Sequence, residues 1–321
     1  MRAIYIEEFG GPENLELREV PDPPKPTGTQ VLIKVKAAAL NRADLLQRKG
    51  LYPPPAGYSP NIPGMEFAGE IAEGGTVGQR VMGITAGEAQ AEYLLADEST
   101  LAYIPDNLTF SEAAAIPEAF ITAHDAIFTQ CEFKAGETLL VHAVGSGVGL
   151  AALQMAKVNG ANVIGTSRTA DKLERCREFG LDEGIVVSDA KFADVVKEMT
   201  GGKGVDVILD LVGASYFSEN LASLAVKGRL ILVGLTGGAT SEFDLRVALH
   251  KRAKIIGTVL RGRSIKEKAE ATRLFVEHTI AHIESGKIKP NLDRVFAAAD
   301  VREAHEYLES NESFGKVVLE F

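Results

Sequence analysis

The chain has 321 residues, of which 45% are hydrophobic and 24% charged, and its 34 basic and 44 acidic residues give a net charge of −10. This composition excludes a disordered or collagen-like chain, and the length predicts two domains. The acidic balance disfavours binding to nucleic acids or to anionic membranes, and no apolar run approaches the roughly 18 residues of a membrane span. Two cysteines, Cys131 and Cys176, and an N-terminus without a signal pattern indicate a reducing, cytoplasmic setting.

The first part of the chain is predicted to be rich in β-strands. Val31–Lys36 alternates apolar and polar residues, as a half-buried strand does. Asn41–Lys49 has helical apolar spacing, and the proline-rich segment Tyr52–Pro63 is predicted to be a rigid, functional loop. Further short strands are expected at Ala3–Glu7, Leu15–Val20, Phe67–Ile71, Gln79–Gly83 and Ala91–Ala96. Such closely spaced strands predict a small barrel or sandwich.

Strands and helices alternate after Ser111–Pro117. Thr138–Ala143 is a continuous apolar run, typical of a strand that is buried on both faces. Further strands are expected at Asn162–Thr166, Ile185–Val187, Val205–Leu211, Arg229–Val233 and Ile255–Val259. Helices are expected at Gly149–Lys157, Ala170–Phe179, Phe192–Met199 and Phe217–Ala225. This alternation predicts an α/β fold with a doubly wound parallel sheet and right-handed crossovers.

The last part of the chain changes character again. It contains a long predicted helix, Ile265–Ser285, then a strand at Arg294–Ala297, a helix at Val301–Ser310 and a final strand at Lys316–Glu320. This segment could complete the first domain, which would make that domain discontinuous.

A glycine-rich turn, HAVGSGVGLAA at residues 142–152, follows the buried strand and opens a helix. Glycines there allow a tight turn and let the backbone approach a pyrophosphate at the helix N-terminus. The expected contacts are Ser146, Gly147, Val148 and Gly149. The spacing departs from G-x-G-x-x-G because residue 150 is Leu, so a purely structural tight turn is the alternative.

The end of the next strand bears on the choice of cofactor. An NAD site usually places an acidic residue about 20 residues after the glycines, where it binds the ribose hydroxyls. Here the strand tip carries Ser167 and Arg168, with Lys172 one helical turn later, and no acid. Hydroxyl and basic groups suit a 2′-phosphate, which predicts NADPH; ordinary solvated surface cations are the alternative. Further cofactor contacts are expected after later strands, at Gly213, Gly234, Leu235, Leu260 and Arg261.

Four motifs precede the glycine-rich turn: LNRAD at 40–44, IPGMEFAG at 62–69, QAEY at 90–93 and AAAIP at 113–117. Together with the turn they resemble the medium-chain dehydrogenase/reductase superfamily over nearly the whole chain. Within it, the chain is similar to the zinc-independent NADPH quinone oxidoreductase branch that includes zeta-crystallin and a tumour-suppressor-inducible subgroup. The resemblance implies a GroES-like catalytic domain at 1–119, completed by 262–321, a Rossmann NADP(H)-binding domain at 120–261, and a homodimer.

The same resemblance predicts that no metal is bound. Zinc alcohol dehydrogenases of this superfamily carry a Cys ligand three residues before the Asp of the first motif and a His ligand in a Gly-His-Glu motif. Here those positions are Asn41 and Met65, and neither side chain belongs to the usual zinc ligand set. Without a Lewis acid, alcohol oxidation is disfavoured, whereas hydride donation to an electron-poor acceptor is not.

The resemblance assigns the catalytic positions to Asn41 and Tyr52, near the nicotinamide and the substrate. Asn41 can hydrogen-bond the carboxamide or the acceptor carbonyl, and Tyr52 can donate a hydrogen bond or line the acceptor pocket. A loop-capping Asn and a packed Tyr are the structural alternatives. Asp44 is expected to orient its neighbours, and Leu46 stands where bacterial quinone reductases often carry a second Tyr.

These features predict a cytoplasmic, NADPH-dependent reductase that transfers a hydride to quinones or similar electron-poor carbonyl acceptors. Two alternatives remain. One is an enoyl or alkenal reductase on the same scaffold, which needs a proton donor at carbon. The other is an NADPH-binding structural or crystallin-like protein. The physiological acceptor and one- versus two-electron reduction are left open by the sequence.

Overall fold

A computed structural model describes residues 1–321, and the chain divides into two compact units. Unit 1 comprises Met1–Ile121 and Leu260–Phe321, and unit 2 comprises Thr122–Val259. The domain bounds predicted from the sequence, 119/120 and 261/262, differ from these by two residues at each junction. No helix is both long and apolar enough to cross a membrane.

The N-terminal part of unit 1 is mostly β-structure. Its strands are β1 Arg2–Ile6, β2 Leu15–Glu19, β3 Gln30–Ala39, β4 Glu66–Glu73, β5 Arg80–Ile84, β6 Tyr93–Asp97 and β7 Leu101–Tyr103. Its helices are α1 Arg42–Arg48, α2 Phe110–Ala114 and α3 Pro117–His124, the last of which runs across the junction of the units. The first two strands form an antiparallel pair of their own. The proline-rich segment between α1 and β4 contains no helix or strand, as predicted.

Unit 2 begins with the end of α3 and a π-helical turn at Asp125–Gln130, and then alternates strands with helices. The strands are β8 Thr138–Val141, β9 Asn162–Ser167, β10 Glu183–Val186, β11 Val205–Asp210, β12 Leu224–Leu232 and β13 Lys254–Gly257. The helices are α4 Gly147–Val158, α5 Ala170–Arg177, α6 Ala193–Met199, α7 Phe217–Ser223 and α8 Leu245–Lys251. All six strands are parallel, in the order β10-β9-β8-β11-β12-β13.

That strand order is the one found in dinucleotide-binding sheets. The order reverses between β8 and β11, since the chain first proceeds outward through β9 and β10 and then returns to the other side of β8. Ligands of open α/β sheets bind beyond the carboxyl ends of the strands at such a point. The central strand residues Leu139, Leu140 and Val141 are fully buried, as expected for a strand covered on both faces.

The remaining chain returns to unit 1. It contains α9 Ile265–Glu284, β14 Leu292–Ala297, α10 Val301–Ser310 and β15 Lys316–Glu320. The last strand pairs antiparallel with β3 and so joins the seven-stranded sheet β14-β15-β3-β4-β5-β7, with β6 also paired to β3. Val317, Val318 and Leu319 are fully buried there. The C-terminal segment therefore completes the first unit's sheet.

The structure differs from the predicted elements at a few places. The helix predicted to extend to Ala225 ends at Ser223, because Leu224 already pairs with Val205 in the parallel sheet. Helices α2, α3 and α8 were not predicted. A capping box formed by Thr109 and Glu112 opens α2, and this local signal is readable in the sequence.

Candidate active site

The glycine-rich turn connects β8 to α4 at the point where the strand order of unit 2 reverses. Ser146 is the N-cap of α4, and its hydroxyl accepts a hydrogen bond of 3.1 Å from the backbone N–H of Gly149. A Cβ atom at Gly149 would lie 2.6 Å from the carbonyl oxygen of Ala143, so only glycine fits there. Gly147 and Val148 form the first turn, whose N–H groups present the positive end of the helix to an anion.

A buried polar network lies below this turn. His142 is fully buried, with Nδ1 2.9 Å from the Thr166 hydroxyl and Nε2 2.5 Å from the Asn220 side-chain oxygen. Asn220 in turn donates to Asp210, 2.9 Å away, and Asp210 accepts from the backbone N–H of Gly213 at 2.9 Å. Burial lowers the pKa of His142 to about 4, so the ring is neutral and structural. The network ties together the ends of β8, β9 and β11.

The tip of β9 carries the predicted 2′-phosphate residues. Ser167 ends the strand, and its hydroxyl accepts from the backbone N–H of Thr169 at 3.3 Å. Arg168 follows with an exposed side chain, and Lys172 lies half-buried in the first turn of α5. The structure thus places all three residues at the carboxyl end of the strand next to the glycine-rich turn, where a ribose would be bound.

The turns after β11 and β12 lie against each other. Gly213 has a φ of +88°, and a Cβ atom there would lie 2.9 Å from the Leu235 side chain. Hydrogen bonds join the two turns, such as that from the backbone N–H of Ala214 to the Gly238 carbonyl at 3.0 Å. Gly234 and Leu235 follow β12 after one residue, Val233, and Leu235 is exposed. These predicted cofactor residues are therefore at the same edge of the sheet as the glycine-rich turn.

In unit 1, Asn41 is the N-cap of α1 and is held by two carboxylates. Its backbone N–H donates to Asp44 at 2.7 Å, and the second oxygen of Asp44 accepts from the backbone N–H of Gly64 at 3.0 Å. Burial raises the pKa of Asp44 to about 6, against the lowering effect of these hydrogen bonds. The side-chain amide of Asn41 donates to Glu66 at 2.8 Å. Asp44 thus orients its neighbours, as expected.

Lys316, which the sequence did not point to, completes this group. Its ammonium lies 2.6 Å from Glu66, 2.7 Å from the Asn41 side-chain oxygen and 2.8 Å from the Leu40 carbonyl. Glu66 and Lys316 are both buried. Glu66 and Lys316 are more than 200 positions apart in the sequence, so no local pattern reveals their contact. The buried Glu66–Lys316 ion pair thus contacts the side-chain amide of Asn41, the predicted catalytic residue.

Arg261 holds the loop that carries Tyr52. The buried guanidinium donates to the Tyr52 carbonyl at 3.0 Å, to the Ala86 carbonyl at 2.7 Å and to the Gln47 side chain at 2.5 Å. It also lies 5.0 Å from the centre of the Tyr52 ring. Both Leu260 and Arg261 were predicted to contact the cofactor; they lie buried in unit 1, and the hydrogen bonds of Arg261 go to the protein. Arg261 thus anchors the Tyr52 loop, and contact of Leu260 and Arg261 with the cofactor stays a prediction.

Glu118 adds a titratable carboxyl to this region. Its backbone N–H donates to Glu66 at 2.8 Å, and its half-buried side chain lies near Glu66, Asp44 and the Lys268 ammonium. Burial, with the neighbouring Glu66 charge second, raises the pKa of Glu118 to about 8. The group therefore carries a proton at neutral pH.

The side chains present do not suit a catalytic zinc ion. Asn41 and Glu66 already share the Lys316 ammonium, so a metal bound by them would meet a fixed positive charge. Met65, at the other expected ligand position, is buried and offers only a thioether. Nowhere in the chain do three or more His, Cys, Asp or Glu side chains lie together as metal ligands would.

Comparison with known proteins agrees with this architecture. Residues 27–125 match the alcohol dehydrogenase GroES-like domain, and residues 147–277 match the zinc-binding dehydrogenase family. The human quinone oxidoreductase is 34% identical over 99% of this chain and 97% of its own length.

Two solved structures share the fold over the full chain. Escherichia coli quinone oxidoreductase, solved with NADPH, superposes with a TM-score of 0.90 at 29% identity and covers 100% of both chains. A protein described as an NAD-dependent alcohol dehydrogenase superposes with a TM-score of 0.85 at 33% identity, again with 100% of both chains covered. The chain is an oxidoreductase that belongs to the quinone oxidoreductase branch of the medium-chain dehydrogenase/reductase superfamily, as its motifs indicated.

Proposed function

We propose that the protein reduces quinones or similar electron-poor carbonyl acceptors with a hydride from NADPH and without a metal. One observation carries this proposal. The side-chain amide of Asn41 is fixed by the Lys316–Glu66 ion pair at the position where zinc-dependent members carry a metal ligand. A hydrogen-bond donor there can polarise a carbonyl oxygen, but it cannot stabilise an alkoxide as a Lewis acid does.

The cofactor proposal rests on unit 2. The N–H groups of the first turn of α4 suit the pyrophosphate. Arg168 and Lys172 suit the 2′-phosphate, and the tip of β9 carries no acidic residue that would repel it. The NADPH-bound relative supports this choice, and the NAD-dependent relative makes NADH the competing cofactor to be measured.

The acceptor would be bound by unit 1. When bound, NADPH supplies the hydride, and the protein supplies position and electrostatics. The Asn41 amide has one N–H group left to donate to the acceptor oxygen. Tyr52, held by Arg261, would line the acceptor pocket or donate a second hydrogen bond. Charge that develops on a quinone oxygen is delocalised, so water can deliver the proton that completes the hydroquinone.

Steady-state turnover of purified protein tests the proposal. The acceptors are 1,4-benzoquinone, a naphthoquinone, an alkenal and a crotonyl thioester, each with NADPH and with NADH. We expect the highest kcat/KM with a quinone and NADPH. Higher kcat/KM for the alkenal or the thioester would assign the chain to reduction of conjugated C=C bonds instead. Binding of NADPH without reduction of any acceptor would support the structural-protein alternative.

We further propose a homodimer in a reducing cytoplasm. The strand β13 is the last of its sheet, and its outer edge is unpaired within the chain. Large apolar side chains are exposed on and beside it, namely Ile255, Val259, Leu245 and Leu249. An exposed strand edge with apolar neighbours favours pairing with a second copy. Both cysteines are free and buried, in keeping with a reducing compartment.

A further inference from the structure

The buried ion pair of unit 1 is the feature that calls for a functional explanation. The ammonium of Lys316 lies 2.6 Å from the Glu66 carboxylate, and their side chains are 6% and 0% exposed. Burying two charges is costly, and such a pair is often no more stabilising than apolar residues of the same volume. Stability alone therefore does not account for its presence behind Asn41.

The hydrogen bonds of the pair leave it no free group for a ligand. An ammonium has three N–H donors, and those of Lys316 go to Leu40, Asn41 and Glu66. One oxygen of Glu66 accepts from Lys316 and Asn41, and the other accepts from the backbone N–H of Glu118. Both residues are thus engaged with the protein and act on a ligand only through a neighbour.

That neighbour is the amide of Asn41. Its oxygen faces the ammonium at 2.7 Å, and its nitrogen faces the carboxylate at 2.8 Å. Turning the amide over would set its N–H groups against Lys316 and its oxygen against Glu66, so two charge-assisted hydrogen bonds would become two repulsive contacts. The ion pair consequently fixes one orientation and leaves one of the two N–H bonds of Asn41 uncommitted.

We propose that Lys316 and Glu66 are positioning residues that hold the Asn41 amide as a hydrogen-bond donor to the carbonyl oxygen of the acceptor. This inference rests on the proposed function and narrows its substrate class: a productive acceptor offers a carbonyl oxygen next to the atom that receives the hydride. A freely rotating amide would present its oxygen part of the time, and that orientation repels a carbonyl.

A mutant cycle tests the coupling between the ion pair and the amide. The variants are Asn41→Ala, the double change Glu66→Gln with Lys316→Met, and the triple combination. Removing both charges together avoids leaving one buried charge unpaired, which would endanger folding. A matched control removes an ion pair of unit 2, by Arg229→Met with Glu137→Gln. Thermal melts establish that each variant is folded.

The expected result is non-additive. Loss of one directed hydrogen bond should lower kcat/KM for 1,4-benzoquinone at saturating NADPH about tenfold in Asn41→Ala, and by a similar factor in the double variant. The triple variant should match Asn41→Ala within about twofold, because the ion pair acts through the amide. The control should retain wild-type kcat/KM within the same margin. Multiplying losses, about a hundredfold in the triple variant, would overturn the proposal.

A second readout separates this inference from the proposed function. If the wild type reduces no acceptor, the proposed function fails. The positioning role is then tested by hydrogen exchange of the Asn41 side-chain amide, measured by NMR on 15N-labelled protein. We expect one slowly exchanging N–H in the wild type and exchange at least about tenfold faster in the double variant. Equal exchange in the two proteins would refute the positioning role.

Discussion

The cofactor preference can be predicted in quantitative terms from the tip of β9. Arg168 and Lys172 would each form a charge-assisted hydrogen bond with a 2′-phosphate, and such bonds are worth about 1.5–3 kcal/mol each. Arg168 is exposed and Lys172 half-buried, so solvent screening removes much of that gain. We expect at least about 1.4 kcal/mol to survive in total, which favours NADPH over NADH at least tenfold, since that energy is one factor of ten.

The perturbation is the double change Arg168→Ala with Lys172→Ala. We expect it to remove most of the preference by lowering kcat/KM for NADPH, while kcat/KM for NADH hardly changes because NADH has no phosphate at that place. The assay is steady-state kinetics with both cofactors at fixed low ionic strength and a saturating acceptor.

A matched control separates a local contact from a general loss of positive charge. Arg177→Ala with Lys203→Ala removes two other exposed cations of unit 2, and it should leave the cofactor ratio unchanged. Equal use of the two cofactors by the wild type would refute the assignment. So would a double variant of Arg168 and Lys172 that loses NADH activity as severely as NADPH activity.

Three further predictions concern unit 1. Purified protein should contain far less than one zinc per chain and keep its activity with chelators, because the Lys316 charge lies where zinc ligands would be expected. One zinc ion per chain on which activity depends would contradict this. Tyr52→Phe should lower kcat/KM about tenfold, which is the effect of one lost hydrogen bond. Tyr58→Phe is the control, and a loss of about a thousandfold in Tyr52→Phe would instead indicate obligatory acid catalysis. The pKa of Glu118 is raised from 4.5 to about 8 in the folded protein, which therefore binds this proton more tightly than the unfolded chain does. The contribution of this carboxyl to the free energy of unfolding should consequently fall as pH rises from 4.5 to 8. Denaturant titrations across that range should show a flatter decline in Glu118→Gln than in the wild type, and parallel curves would show that the pKa is not raised.

The sequence predicted most of unit 2 because local patterns determine it. A continuous apolar run predicted β8, and the glycines predicted the turn after it. The alternation of strands with amphipathic helices predicted the parallel sheet. The turn residues Ser146 and Gly149 lie together because they are close in sequence. Helix α8 was not predicted because its apolar residues Leu245 and Leu249 are exposed and do not form a buried stripe.

The candidate site of unit 1 was only partly predictable. Asn41 and Tyr52 were assigned to the site through a resemblance and stay predictions. Glu66 was noted only as part of a motif, and Lys316 only as part of a terminal strand. Their contact depends on pairing between β15 and β3, which joins residues from opposite ends of the chain. Arg261 was assigned to the cofactor because it follows the last strand of unit 2. Its side chain is buried among residues of unit 1, and its contact with the cofactor stays a prediction.

The pairing of β15 with β3 has a consequence for synthesis of the protein. The ribosome synthesises β15 only after all of unit 2. While those residues emerge, Ala37–Ala39 of β3 have no partner on that edge, whereas Gln30–Lys34 can already pair with β6. Unit 2, which is continuous in sequence, can fold during that interval, whereas unit 1 cannot. Contacts that span so much of the chain close slowly, and an open strand edge attracts other chains. Substitutions or deletions that disturb β15 should therefore reduce the yield of soluble protein more than similar changes at an exposed loop.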